Sequence, residues 1–454
     1  MEGLIMTAQL LLALTILIGV HEWGHYASAR MFGIKVEKFY LFFDFLFPMP
    51  NIMNFALFKK KIGDTEFGLG WFPLGGYVKI AGMMDESMDK EALAAPPQEW
   101  EFRSKPAWQR LIVMLGGIIV NVVVGVLIFT GLNLVMGESY YTAEEVQKNG
   151  ISVNKIAEEM GLQKGDKIMN ISGKPYQKFD EVRSPSVLLD NNSYYTVSRN
   201  GQEIKVVVPT NLMEKLSEAK KDEGAFIEPL LPYEISNIVS GTPAQAAGLQ
   251  VGDKIVSVNN VSTIFFQDLQ KTLGENKSKT VSLSVDRKGE IKTMSANVNE
   301  EGKLGIEIAH LLKASTRSYG LFESIGKGSV DAFGVITTQL KGFGKIFRGE
   351  IRADKALSGP IGIAKGFGGT WNWVRFWTFT AMLSMVLAFM NLLPIPALDG
   401  GHAVFLVYEM IRGKAPSEKF SEITQQIGML LLLFLMVFAF GNDIYKLIID
   451  KFAN

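Results

Sequence analysis

The most constraining feature of this sequence is a pair of histidines inside an apolar helix. Residues 4–20 are apolar or neutral throughout, and the helical pattern continues through the H-E-W-G-H sequence of residues 21–25 towards Ala29. On a helix His21 and His25 lie one turn apart on the same face, so both imidazoles reach one metal ion while Glu22 stands beside it as a base. Ionisable groups at membrane depth are costly without a partner, and a metal ion is the commonest partner for two histidines. The stretch therefore predicts a metallohydrolase centre in a membrane span.

The composition agrees with this prediction and limits the residue types that can bind the metal ion. Of the 454 residues, 48% are hydrophobic, and the mean hydropathy is positive at +0.17, which is typical of a membrane protein with soluble parts. The net charge is zero, so no global field argues for a nucleic-acid partner. The chain has no cysteine, which excludes disulfides and thiolate ligands. A zinc ion must therefore be held by His, Asp or Glu side chains.

Four apolar stretches predict four transmembrane spans and their orientation. The first begins without basic residues and no small-residue cleavage site precedes His21, so we expect a retained helix rather than a signal peptide. Basic residues collect after the first span, between Arg30 and Lys61, and again in the short loop that contains Arg412, which predicts that both loops are cytoplasmic. Both chain ends would then face outward. His21 lies roughly 25 Å along its helix from Leu4, which places the metal in the bilayer near the cytoplasmic face.

The third span predicts the remaining metal ligand. It ends in the sequence N-L-L-P-I-P-A-L-D-G-G-H of residues 391–402, where two prolines must interrupt the helix in mid-membrane. Asp399 is the one carboxylate between Arg375 and Glu409, and an unpaired aspartate there would be costly. We prefer Asp399 as the third zinc ligand; His402 is the competing candidate and otherwise supports the site. A polar residue within the second span, Asn121, either bonds to a neighbouring helix or lies near the metal.

Residues 62–80 are aromatic, glycine-rich and too broken for a helix. A β-hairpin that re-enters the membrane towards the metal fits this pattern, because non-helical backbone is tolerated at membrane depth only where protein or a wet cavity covers it. We expect an exposed strand edge at Gly68, Leu69 and Gly70 to hold a substrate segment by strand addition. The alternative is an ordinary cytoplasmic hairpin.

An internal repeat marks the soluble part of the chain. The sequence G-L-Q-K-G-D-K-I of residues 161–168 matches G-L-Q-V-G-D-K-I of residues 248–255, and each copy leads from a glycine turn into an alternating strand. The G-L-x-x-G-D-x-I pattern resembles the hallmark of PDZ domains, which bind peptide ends or strands along an edge. Two copies of one small α+β domain are therefore predicted. They either bind peptide ends or only filter access to the membrane.

The whole chain resembles the site-2 protease family of intramembrane zinc metalloproteases, specifically the bacterial regulator-of-sigma-E protease group with tandem PDZ domains. The resemblance rests on the H-E-W-G-H motif, both G-L-x-x-G-D copies, and the motifs at residues 73–79, 357–361 and 391–402. It implies one Zn²⁺ per chain on His21, His25 and Asp399, Glu22 as general base, and substrate contact by Asn391 and the hairpin. One departure is Ile118, where the family's Gly-Pro-x-x-Asn motif has proline.

The resemblance also implies a function. We expect a zinc metalloendopeptidase of the bacterial inner membrane that cleaves single-span membrane proteins, of the anti-sigma-factor type or remnant signal peptides, after their external domain has been trimmed. Its partners would be such substrates, membrane lipid and peptide ends at the PDZ-like domains, which would lie in the periplasm. A non-catalytic membrane-anchored PDZ adaptor is the alternative. A zinc transporter or sensor is a third reading, although it needs no base beside its ligands.

The predicted fold is a polytopic α-helical membrane protein with four transmembrane spans, a membrane-reentrant β-hairpin and two inserted PDZ-like domains. Its segments are the first span with the H-E-W-G-H motif (1–32), the hairpin region (33–107), the second span (108–137), the two PDZ-like domains (138–225 and 226–312), an amphipathic helical linker (313–370), the third span (371–410), and a cytoplasmic loop with the fourth span (411–454).

Overall fold

Four long apolar helices dominate the computed structural model, which describes residues 1–46, 53–73, 75–83, 96–218, 224–352, 354 and 359–452. They are α1 (Glu2–Met31), α2 (Ala107–Met136), α11 (Trp373–Leu392) and α13 (Glu418–Phe452). Each is long and apolar enough to cross a bilayer, as the sequence predicted. At 1.5 Å per residue, the 30 residues of α1 span about 45 Å, more than the roughly 30 Å of a hydrocarbon core.

The chain divides into two compact units. The membrane unit, as we call it, contains the four long helices and comprises Met1–Gly137, Ser318–Phe343 and Leu357–Asn454. The inserted unit contains the sequence repeat and comprises Glu138–Arg317 and Gly344–Ala356.

Helices α1 and α2 approach each other closely at glycines. A Cβ atom on Gly24 would lie 2.3 Å from the carbonyl oxygen of Gly116, and one on Gly116 would lie 2.5 Å from that of Gly24. Only hydrogen side chains fit this crossing, which is the small-residue packing typical of membrane helices. Helix α2 runs unbroken through Ile118, so the absence of the family proline leaves a regular helix there.

A four-stranded sheet follows α1 and packs against its end. The strands are β1 (Val36–Tyr40), β2 (Ala56–Ile62), β3 (Thr65–Gly70) and β4 (Tyr77–Ile80), in the order β2-β3-β1-β4. Strand β3 pairs with β2 on one side, Gly68 facing Lys59, and with β1 on the other, Gly68 facing Tyr40. The ring of Tyr26 of α1 packs edge-on against the rings of Phe39 and Phe67, with distances between ring centroids of 5.8 and 5.7 Å. The sheet is therefore fixed beside the helix that carries the two histidines.

The expected exposed edge at Gly68, Leu69 and Gly70 is wrong. Gly68 pairs with both β1 and β2. Leu69 and Gly70 pair with β2, and the Phe72 amide bonds to the Phe43 carbonyl oxygen on the other side, so this stretch is not a free edge. The glycines serve close packing instead: a Cβ atom on Gly68 would lie 2.3 Å from the Tyr40 ring, and one on Gly70 would lie 2.2 Å from the Phe43 carbonyl oxygen. The outer strands of the sheet are β2 and β4.

The predicted interruption of the third span is present. Helix α11 ends at Leu392, and α12 (Asp399–Arg412) begins after the two prolines. Gly400 allows the turn to close, because a Cβ atom there would lie 2.4 Å from the Leu393 carbonyl oxygen. Ala397 in this break has a φ of 76°, a left-handed conformation that costs a non-glycine residue energy.

Among the described residues, two helices lie between the inserted repeats and the third span. They are α9 (Leu321–Phe347), where the sequence pattern predicted an amphipathic helix, and α10 (Pro360–Phe367), which follows the predicted break. Asp443 of α13 accepts hydrogen bonds from the amides of Gly359, Ile361 and Gly362, and so caps α10. Leu357 and Ser358 of the family's L-S-G-P-I motif lie outside the described residues.

The inserted unit contains two separate hydrophobic cores, one for each copy of the repeat. The elements of the first are β5 (Glu138–Tyr140), α3 (Ala143–Asn149), β6 (Ile151–Val153), α4 (Lys155–Glu159), β7 (Lys167–Ile171), α5 (Pro185–Leu188), β8 (Tyr194–Arg199), β9 (Gln202–Val207), α6 (Leu212–Glu218) and β10 (Ile227–Pro229). Those of the second are β11 (Tyr233–Ile238), α7 (Pro243–Ala246), β12 (Lys254–Val258), β13 (Val261–Ser262), α8 (Phe266–Glu275), β14 (Thr280–Arg287), β15 (Glu290–Asn297) and β16 (Ile306–His310). A last strand, β17 (Ser315–Arg317), returns to pair with β5.

The repeated G-D pair has the same structural role in both copies. The carboxylate of Asp166 accepts two hydrogen bonds from Arg199, at 2.7 and 2.8 Å, and Asp253 accepts two from Arg287, at 2.8 and 2.7 Å. Burial alone would raise the pKa of Asp253, but the hydrogen bonds from Arg287 and the Gln250 amide lower it below the ordinary value. The aspartate of the repeated motif therefore stabilises the fold of its own copy, which explains why the motif occurs twice.

Candidate metal centre

Three side-chain atoms of the membrane unit converge on one point. His21 Nε2 lies 3.3 Å from His25 Nε2, and Asp399 Oδ2 lies 3.2 Å from the first and 3.3 Å from the second. The three atoms form a nearly equilateral triangle. Among the described residues, this is the one group of three or more His, Cys, Asp or Glu side chains that is close enough to hold a metal ion. The sequence predicted this set of three.

Each ligand is placed by its own element. His21 and His25 lie one turn apart on α1, as their spacing requires. Asp399 is the first residue of α12, and the break before that helix brings its carboxylate across to α1. Residues 378 positions apart in the chain (399 minus 21) are thus brought together, because α1 and α12 both pack against α2.

The three residues fit a zinc ion. Ligands of a tetrahedral zinc at about 2.0–2.1 Å lie about 3.3 Å from one another, which matches the triangle. Asp399 Oδ2 is buried and has no hydrogen-bond partner among the described residues. A buried carboxylate oxygen without a donor is costly, whereas a cation at the centre of the triangle would neutralise it. Three protein ligands also leave a fourth position open, as catalytic zinc requires.

Helix α2 contacts both imidazoles from behind. His25 Nδ1 lies 2.9 Å from the carbonyl oxygen of Val113, and the side-chain amide of Asn121 lies 3.2 Å from His21 Nδ1. Between these two residues, Gly117 leaves room for the rings: a Cβ atom there would lie 2.6 Å from His25 Nε2 and 2.6 Å from His21 Cε1. Of the two alternatives for Asn121, the structure places it beside the metal site.

A cavity of about 470 Å³ opens at the triangle. Glu22, Asn391 and His402 line it together with the three ligands, and strand β4 forms part of its wall. The Asn391 amide nitrogen lies 3.3 Å from His21 Nε2. The site thus combines a ligand set, an acid–base side chain, a polar amide and an outer strand of the sheet. This arrangement can bind an extended peptide beside a metal ion.

Comparison with known proteins decides the family. The sequence profile of peptidase family M50 matches residues 9–435. The chain belongs to peptidase family M50. This membership, together with the names of relatives, makes the chain a zinc metalloprotease.

M50 relatives match the chain over nearly its full length. It is 32% identical to the regulator of sigma E protease of Haemophilus influenzae, over 96% of this chain and 98% of that protein. It is 30% identical to the regulator of sigma-E protease RseP of Escherichia coli, over 97% and 98%. A Pasteurella multocida protein whose name places it among zinc metalloproteases is 28% identical, over 97% and 98%. The resemblance to this group is confirmed.

The M50 site contains residues that the sequence did not single out. Gly117, a small residue in the apolar second span, faces both ligand rings. Strand β4, and not residues 68–70, lines the cavity. Neither the hydropathy of α2 nor the pattern of the hairpin contains a signal for these positions, because both depend on which elements meet in space. His402 lines the cavity but is not one of the three converging ligands.

Proposed function

We propose that this M50 protease hydrolyses a peptide bond within or beside the transmembrane helix of single-span membrane proteins in a bacterial inner membrane. The observation that carries the proposal is the triangle of His21, His25 and Asp399, with edges of 3.2 to 3.3 Å, beside Glu22 at a cavity between apolar helices. An adaptor without catalysis has no need for these groups to converge.

Glu22 is the general base and acid of the proposed reaction. Zinc held by His21, His25 and Asp399 would supply Lewis acidity, which would polarise the scissile carbonyl and make water more acidic. The Glu22 carboxylate takes a proton from the attacking water and passes it to the amide nitrogen as the C–N bond breaks. The Asn391 amide, 3.3 Å from His21 Nε2, is placed to donate a hydrogen bond to a substrate carbonyl at the cavity.

The substrate pairs with β4 in this proposal, instead of with residues 68–70. A transmembrane helix hides its carbonyls in its own hydrogen bonds, so it must unwind before hydrolysis, and strand pairing offsets part of that cost. Among the described residues, no strand pairs with the outer edge of β4. The Ala81 amide bonds to the Lys35 carbonyl on the β1 side, so by alternation the amides of Val78 and Ile80 face the open edge.

The two repeats act as the external part of the protease. Positive charge in the loops after α1 and α12 favours a cytoplasmic position for both, which supports a periplasmic position for the inserted unit. We propose that the PDZ-like repeats exclude proteins with bulky external domains and admit those already trimmed, such as anti-sigma factors or remnant signal peptides.

The test compares the purified wild-type chain with Glu22→Gln and with Glu2→Gln, a matched change at the other end of α1. Zinc content and cleavage of a single-span substrate are measured with and without a chelator. We expect about one zinc per chain in all three proteins and chelator-sensitive cleavage by the wild type and Glu2→Gln, but none by Glu22→Gln. Cleavage that survives Glu22→Gln would refute Glu22 as the general base, and wild-type protein without zinc or cleavage would leave the non-catalytic adaptor as the better reading.

A further inference from the structure

Three residues of α2, four positions apart, face the two ligand histidines along one stripe. Val113 contacts His25 Nδ1 through its carbonyl oxygen, Asn121 contacts His21 Nδ1 through its side chain, and Gly117 lies between them against both rings. The nitrogens that Val113 and Asn121 contact are Nδ1 of each ring, whereas Nε2 of each ring lies near Asp399. Helix α2 therefore contacts Nδ1 of each histidine, which we call the outer nitrogen, and contributes no metal ligand itself.

The outer nitrogen decides whether a histidine can bind metal. A neutral imidazole carries one proton, so Nε2 has a free lone pair only when the proton is on Nδ1. A carbonyl oxygen can only accept a hydrogen bond, so the 2.9 Å contact with Val113 places the proton of His25 on Nδ1. His25 is thereby set in the form that binds metal through Nε2.

His21 also needs a hydrogen-bond acceptor at Nδ1, and the residue beside it is Asn121. The side-chain amide of Asn121 can turn either its oxygen or its nitrogen towards His21. In the orientation shown, the nitrogen faces His21 Nδ1, and Oδ1 is buried without a hydrogen-bond partner among the described residues. Oxygen and nitrogen of an amide are nearly indistinguishable by shape and are assigned from the hydrogen-bond network. A half-turn of the amide places Oδ1 on the Nδ1 proton, which is the arrangement that metal binding through Nε2 demands.

We infer that Asn121 is a positioning residue whose amide oxygen accepts the Nδ1 proton of His21 and holds Nε2 towards the zinc. Asn121 is fully buried, and its backbone carbonyl accepts a 2.7 Å hydrogen bond from Ser384 of α11, so its place between the helices is fixed. Partners of this kind orient metal-binding histidines and raise their basicity. The inference rests on the zinc site of the proposed function.

The experiment measures metal affinity, not turnover, in the full-length purified chain. Zn²⁺ and Co²⁺ are each titrated against a competing chelator, and the visible absorption bands of bound Co²⁺ report ligand geometry. Asn121→Leu removes the acceptor, and Asn121→Asp keeps it. The matched control is Asn133→Leu on the same helix, which removes hydrogen bonds to Phe129 and Asp331 at 2.9 and 3.0 Å, away from the histidines.

We expect Asn121→Leu to weaken binding of both ions by roughly 10- to 100-fold and to alter the Co²⁺ bands. Asn121→Asp should bind within a few-fold of wild type and keep its bands, and Asn133→Leu should match wild type. Equal affinities for Asn121→Leu and wild type would overturn the inference, as would equal losses in Asn121→Leu and Asn133→Leu.

The conservative variant keeps the test decisive when Asn121→Leu does not fold. Asn121→Asp retains an acceptor for the Nδ1 proton, so a loss of affinity as large as that from removing His21 would show that the acceptor is not what matters. If the wild-type chain itself binds neither ion, the proposed zinc site fails first. Tight wild-type binding with no effect at Asn121 refutes this inference alone.

Discussion

Substitution of Gly117 by alanine tests whether α2 shapes the metal site. The new Cβ atom would lie 2.6 Å from His25 Nε2, 2.6 Å from His21 Cε1 and 2.7 Å from His21 Nδ1. Ordinary contacts begin near 3.4 Å, so the overlap is about 0.8 Å (3.4 minus 2.6) with each ring. The rings would have to move by more than the roughly 0.5 Å within which a functional site must be held.

The cost of this overlap sets the expected magnitude. Overpacking of a close-packed interior typically costs about 1–3 kcal/mol, and each 1.4 kcal/mol is tenfold in affinity. Because the atoms that must yield are the ligand rings themselves, we expect zinc affinity to fall by roughly 5- to 150-fold. Cleavage at limiting zinc should fall in parallel, while excess zinc should restore part of it.

The assay is chelator competition for zinc on the purified chain, with thermal unfolding as a check of folding. Gly131→Ala is the matched control, since a Cβ atom at Gly131 of the same helix meets no atom within 4 Å. We expect it to bind zinc as the wild type does. Wild-type affinity in Gly117→Ala, in protein that remains folded, would refute the geometry of the site and the stripe on α2 with it.

Three further predictions concern the ligand choice, the substrate strand and the repeats. Asp399→Asn removes the charged ligand and should reduce bound zinc at least 100-fold, whereas His402→Ala should keep it within a few-fold, both read by metal analysis. Val78→Pro removes an amide from the open edge of β4 and should lower cleavage roughly tenfold or more with zinc content unchanged; unchanged cleavage would argue against strand pairing there. The pKa of Asp253 is lowered on folding, so its contribution to stability is present above the unfolded value near 4 and is lost as pH falls through the folded value. Asp253→Asn, which weakens the bonds to Arg287, should therefore speed hydrogen exchange around β12 roughly tenfold or more at neutral pH, and by progressively less as the pH is lowered below about 4.

The sequence predicts those parts of the fold that depend on local pattern. Hydropathy predicts the four long helices, and the prolines at 394 and 396 predict the break between α11 and α12. The convergence of Asp399 with the two histidines also follows from the sequence, because a lone carboxylate at membrane depth needs a cation. These predictions hold because each depends on a property of one short stretch.

The misplaced strand edge has a different origin. The sequence predicts correctly that residues 62–80 are extended. Which strand lies outermost, however, depends on pairing with residues 36–40 and 56–62. Parallel pairing of β1 with β3 brings two strands together that are not neighbours in sequence, and no local period reports such a pairing. The glycine-rich pattern therefore predicted extended chain but could not identify the free edge.

The H-E-x-x-H motif alone does not make this site; it needs a second helix built to receive it. Gly24, inside the motif, lets α1 meet Gly116 of α2, and this close approach brings Gly117 against the two imidazoles. One turn to either side, Val113 and Asn121 then reach the outer nitrogens. A larger residue at Gly116 or Gly117 would separate the helices and with them the histidines from both partners. The spacing of small and polar residues on α2 is thus as much a part of the metal centre as the ligands, and it should separate working sites from chance occurrences of the motif on apolar helices.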